Sequence, residues 1–94
     1  HEHGDCCEGG DVPFSCTGSH YNPGNQPHPD HAGDLPVLLA SDGLVYTIVY
    51  TGRFRPEEVV GRAVIIHDMP DDYRSQPAGD SGNRIGCGSI EAIP

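Results

Sequence analysis

Residues 20–34 read HYNPGNQPHPDHAGD and hold three of the chain's six histidines, His20, His28 and His31, together with the carboxylate of Asp34. Neutral imidazole and carboxylate are the borderline ligands that Zn²⁺ accepts at tetrahedral corners. These four side chains make a His₃Asp set without help from any cysteine. Pro23, Gly24, Pro27, Pro29 and Gly33 interrupt the stretch, so neither a helix nor a strand ladder runs through it. A loop without regular hydrogen bonding needs another source of order, and a bound metal supplies one.

The elements that must position this loop lie mostly on its C-terminal side. PVLLA and LVYTIVY flank Ser41, Asp42 and Gly43, which predicts a β-hairpin over residues 37–50. RFRPEEVVG is a connector with room for one helical turn. RAVIIHD predicts a strand from Arg62 that ends at His67, with Val64 and Ile66 on one face, Ile65 on the other, and burial on both sides. Residues 69–83 return to loop composition, with Pro70, Pro77, Gly79, Gly82 and the acid pair Asp71 and Asp72. A last strand, RIGCGSIEAI, alternates Ile85, Cys87 and Ser89 against Gly86, Gly88 and Ile90. Residues 1–35 show no sustained periodicity and read as an extended start followed by a long, cross-linked, metal-dressed loop. Repeats and amphipathic helices are absent from the pattern.

At 94 residues the chain is expected to form one domain, 1–94, with a modest core. A 35% apolar fraction, no Trp, 13 glycines and 9 prolines imply that covalent or metal staples are needed. Cys6, Cys7, Cys16 and Cys87 contain no C-x-x-C pair and could form two disulfides, and composition leaves their connectivity open. Disulfides in so small a chain point to an oxidising, extracytoplasmic compartment. A net charge of −9, with every positive residue an Arg, argues against nucleic acid and against anionic membrane surfaces as partners. No apolar run is long enough to span a bilayer as a helix. The chain opens HEHGDCC without Met or an apolar leader, so the expectation is a processed mature end or the interior of a longer protein.

Four stretches together resemble the copper/zinc superoxide dismutase family, in the family's order and over nearly the whole chain. GDSGNRIGCGSI is similar to its Gly-rich signature containing Arg and Cys, departing from it at Asp80. HYNP, then His28, then HAGDLP resemble its bridging and zinc-binding loop. IIHDMPDD resembles the strand end that carries a copper histidine with an acid four residues on, and HEHGDC the end of its copper strand. The resemblance implies an all-β Greek-key sandwich or barrel, N-terminally truncated, with long metal-binding loops, and copper and zinc as cofactors. It implies that His20 bridges the two metals and that His28, His31 and Asp34 complete the zinc site. His1 and His67 become further copper ligands, and Asp71 the carboxylate that orients ligand imidazoles. Arg84 becomes the guanidinium that guides and holds the anion. Cys87 pairs with Cys6, leaving Cys7 and Cys16 for a second bridge outside the family's usual pattern.

The front of the chain departs from that pattern. The family's copper strand carries His-x-His; His1 matches the second of these, the first has no counterpart, and His3 falls where a non-ligand is usual. An alternative register makes His1 and His3 the pair. If His1 is a mature terminus, its amine is expected to replace the lost imidazole. The missing strands leave an apolar face open, which predicts a homo-oligomer or pairing with an absent N-terminal segment. The activity implied is superoxide disproportionation to O₂ and H₂O₂ at copper supported by zinc, with superoxide anion as substrate. The alternative is a non-enzymatic module that binds zinc or stores or delivers copper.

Overall fold

The computed structural model describes residues 1–7 and 12–93. Among these residues the one sheet is an antiparallel pair, β1 (Ala63–His67) and β2 (Arg84–Ser89). The side chains are matched across it: Val64 and Ile66 lie opposite Gly88 and Gly86, so bulky residues on β1 meet bare backbone on β2. One face carries Ala63, 3% exposed, with the half-buried Ile65 and His67. The other was expected to be buried as well, yet Val64 and Ile66 are 49% and 44% exposed, because no second layer covers them among the described residues.

Pairing runs regularly from Ala63↔Ser89 to Ile66↔Gly86 and then jumps to His67↔Arg84, leaving Ile85 as an extra residue. Strict alternation would put Ile85 with Cys87 and Ser89. The bulge instead leaves it 61% exposed and gives Arg84 the position across from His67. Re-aiming a side chain next to a site is a recurrent use of bulges.

The hairpin expected over residues 37–50 is present only as its turn. Ser41 and Leu44 exchange both backbone hydrogen bonds at 2.9 Å. Asp42 and Gly43 have φ of 51° and 75°, the left-handed pair that a two-residue type I′ turn requires. The flanking runs form no ladder, and Leu39, Tyr46, Ile48 and Tyr50 are 81–97% exposed. A two-stranded ribbon without an apolar layer beneath it is at best marginal.

The connector holds one helical turn, α1 (Pro56–Val59), with Pro56 at its start and Glu57 and Glu58 in the first turn, where fixed φ and negative charge both favour a helix N-terminus. A 3₁₀ turn at Ser15–Thr17, without a counterpart in the sequence reading, buries Thr17 completely. Disulfides join Cys6 to Cys87 and Cys7 to Cys16, with Cα separations of 5.9 and 5.8 Å. This is the pairing the resemblance implied. Among the described residues the architecture is therefore a small two-stranded sheet dressed by cross-linked loops, and none of the helices there is long and apolar enough to cross a membrane.

Candidate metal centre

Folding of the 20–34 loop brings four side chains to one point. His20 Nδ1 lies 2.8 Å from Asp34 Oδ1, while His28 Nδ1 and His31 Nδ1 lie 3.2 and 3.1 Å from Asp34 Oδ2. His20 Nδ1 and His31 Nδ1 are 3.1 Å apart. The chain reaches this geometry through local bonds: Asp34 Oδ2 accepts the His31 N–H at 3.0 Å, and the Gly33 N–H returns to Tyr21 O at 2.9 Å. Tyr21 in turn donates its hydroxyl to Glu58 on α1 at 2.9 Å and lies beneath the Arg62 guanidinium, 4.1 Å from the ring centre. The loop is thereby tied to the helix and to the root of β1.

The donor set fits zinc. Ligands at the Zn–N length of about 2.0–2.1 Å on tetrahedral corners lie about 3.3 Å apart, close to the separations above. His28 Nδ1 is buried and has no hydrogen-bond partner. Its other nitrogen, Nε2, is 2.7 Å from Asp71 Oδ1, which fixes the tautomer and leaves Nδ1 as the free lone pair. Burial, more than any other influence, holds the His20 imidazole below its ordinary pKa, with the Asp34 carboxylate opposing; the neutral form is the one a metal binds.

His20 also belongs to a second group with His1 and His67, whose ligand nitrogens lie within 4.8 Å of one another. Ring centres are 4.9 Å apart for His1 and His20, 5.7 Å for His1 and His67, and 6.0 Å for His20 and His67. His1 donates Nδ1–H to Gly18 O at 2.9 Å, which leaves Nε2 buried without a partner, as are both ring nitrogens of His67. Buried polar atoms are almost always satisfied, so the unpartnered nitrogens of His1 and His67, with one ligand nitrogen from each within 4.8 Å of one on His20, call for a cation. Imidazole donors of this kind suit copper as well as zinc.

Arg84 reaches this group from β2. Its Nη1 donates to Phe14 O at 2.9 Å and to Thr17 Oγ1 at 3.0 Å, and its Nη2 to Gly18 O at 2.7 Å. The Gly18 carbonyl thus accepts from both Arg84 and His1. His3 stays outside: it is exposed, its backbone N–H donates to Thr17 O at 3.0 Å, and its ring joins neither group. The backbone nitrogen of His1 also departs from expectation. It donates to Ala63 O at 2.9 Å, the bond an edge strand would make there, so His1 enters the cluster by its ring.

Three contributors escaped the sequence reading. Arg53 donates Nη1 to Pro29 O and His31 O at 2.6 and 3.2 Å, clamping the histidine loop from outside. Gly79, at φ +71°, has no room for a side chain: a Cβ there would lie 1.9 Å from Asp71 Oδ1 and 2.6 Å from His28 Nε2. Gln76 brackets the backbone of His28. The only sequence signal for the last was the Pro-His-Pro run, in which His28 holds the sole backbone donor.

Two groups of potential metal ligands thus share one imidazole, that of His20. The family profile described as copper/zinc superoxide dismutase (SODC) matches residues 1–90. A Deinococcus radiodurans protein named superoxide dismutase [Cu-Zn] is 36% identical over 111 aligned residues, covering 99% of this chain and 61% of its own length. Superoxide dismutase [Cu-Zn] 3 of Arabidopsis thaliana is 37% identical, covering 86% of the chain and 60% of its own length. The extracellular superoxide dismutase [Cu-Zn] of Rattus norvegicus is 34% identical, covering 93% and 38%. This chain belongs to the copper/zinc superoxide dismutase family, and it spans about three-fifths or less of the length of these relatives.

Proposed function

We propose that the chain is the metal-binding part of an enzyme that disproportionates superoxide to O₂ and H₂O₂. The observation that carries this reading is His20, shared by a four-ligand group and a three-imidazole group. Zinc is assigned to His20, His28, His31 and Asp34, and copper to His1, His20 and His67. Copper held there would supply a one-electron couple for oxidising one superoxide and reducing the next. Asp34 and the His20 ring fix the distance between the two groups, and Asp71 holds His28 in the ligating tautomer. Gly18 O orients the His1 ring from behind. Arg84, opposite His67 and bonded only to neutral acceptors in the hydrogen bonds described, keeps its positive charge available to an incoming anion. Net charge of −9 does not oppose this role, because local positive potential focuses anions into a cleft, a principle worked out in part on superoxide dismutases.

The 94 residues form one domain of a Greek-key sandwich whose remaining strands lie outside them. The exposed side chains of residues 37–50 and the outer face of β1 are the surface those strands, or a second copy, cover. The paired cysteines suit an oxidising, extracytoplasmic space. Metal content and superoxide consumption measured on one purified sample test the reading: bound copper and zinc with rapid turnover are expected. Turnover that is absent after copper loading, with zinc retained, would overturn it in favour of a zinc-binding module, a second reading favoured by the zinc group having four ligands and the copper group three.

A further inference from the structure

Pro27 and Pro29 have no N–H, so between them the histidine loop offers one backbone donor, that of His28. His28 is 4% exposed, and among the described residues no strand lies beside it to receive that donor. Gln76 takes the place of the missing strand. Its Oε1 accepts the His28 N–H at 2.9 Å and its Nε2 donates to His28 O at 2.8 Å, the two-point pairing that a neighbouring strand residue would make.

Gln76 is itself held. Its Nε2 also reaches Arg74 O at 3.2 Å. Asp72 Oδ1 accepts the N–H groups of Arg74 and Ser75 at 2.8 Å each, the Asp72 N–H donates to Gly79 O at 2.9 Å, and the Gly79 N–H donates to Ser75 O at 2.6 Å. The closed 71–79 loop therefore grips one residue twice, Asp71 on the ring and Gln76 on the backbone. Asp71 alone sets the tautomer but leaves the ring free to swing with its backbone; with Gln76 the position of Nδ1 is fixed as well.

We infer that Gln76 is a positioning residue for the metal at His20, His28, His31 and Asp34, acting through the backbone of His28. This rests on the assignment of zinc to those four residues. Loss of such an outer partner typically weakens metal binding about 10–100-fold, and Gln76 is exposed, so shortening it opens no core cavity.

The test titrates Zn²⁺ against a chelator in the parent chain, Gln76→Ala and Gln76→Glu, and records the visible spectrum of each with Co²⁺ in place of zinc. Gln76→Ala is expected to bind zinc about 10–100-fold more weakly and to shift the Co²⁺ bands. Gln76→Glu keeps the acceptor for the His28 N–H and loses the donor, so its affinity is expected to fall between the two. A Co²⁺ spectrum and zinc affinity unchanged in both variants overturn the inference while leaving the metal site intact. A parent chain that binds neither ion overturns the site assignment and the inference with it.

Discussion

At the residue scale, His28 and His1 each keep one nitrogen free because another group takes the other: Asp71 at His28 Nε2 and Gly18 O at His1 Nδ1. Asp71→Asn removes the carboxylate that orders His28, and zinc affinity is expected to drop about 10–100-fold in chelator competition, with both disulfides retained. Gly79→Ala strikes the same contact from the other side. Its Cβ would displace Asp71 from His28 and place a side chain at φ +71°, a backbone cost of roughly 1 kcal/mol or more. Zinc affinity is expected to fall at least as far as in Asp71→Asn, and urea unfolding is expected to show the added loss of stability. Asp72 is a separate case. The Ser75 hydroxyl and the N–H groups of Ser75 and Arg74 hold its carboxyl at about 2, below the ordinary 3.8. A depressed carboxyl contributes stability that is complete above the unfolded value and lost as pH falls through the folded one. Its carboxyl carbon is therefore expected to titrate near 2 by NMR, and Ser75→Ala to move that midpoint upward.

At the element scale, the register opposite His67 decides what Arg84 can do. Deleting Ile85 removes the extra residue and makes the pairing regular from Ser89 to Arg84, with Arg84 still opposite His67. Superoxide consumption at low ionic strength is expected to persist in the deletion variant and to fall in Arg84→Ala, with zinc content unchanged in both; a deletion variant as slow as Arg84→Ala would show that the register opposite His67 is not what places this side chain. The bulge was not legible in the sequence. Gly86 and Gly88 were visible only as alternating with Ile85, Cys87 and Ser89, and a one-residue slip depends on which β1 residue each β2 residue meets. The one-turn helix and the Asp42-Gly43 turn were legible because their signals are local: a Pro before two acids, and a Gly that accepts positive φ.

At the scale of the whole molecule, covalent links stand in for a core. Chain-entropy reasoning with sequence separations of 81 and 9 gives about 4.5 kcal/mol for the Cys6–Cys87 bridge and about 2.6 kcal/mol for Cys7–Cys16. Removal of the first pair is expected to lower stability in urea by about 2 kcal/mol more than removal of the second. The apolar side chains of residues 37–50 have no covering layer among the described residues, so the isolated chain is expected to self-associate. A monodisperse monomer in sedimentation velocity would count against that.

The sequence by itself determined the ligand inventory, since His20, His28, His31, Asp34 and His67 are chemically suited to a metal wherever they fall, and it determined the loop and turn punctuation through Pro and Gly. Tertiary structure alone decided that His1 joins by its ring while His3 stays out, that Arg84 faces His67, and that Gln76 holds the backbone of His28. Those outcomes depend on cross-strand register and on contacts between residues 17 positions or more apart, and local residue patterns carry no record of such distances. The predicted hairpin at 37–50 failed for the same reason: its alternation marks a face that needs a partner, and the partner's presence is a property of the assembled fold.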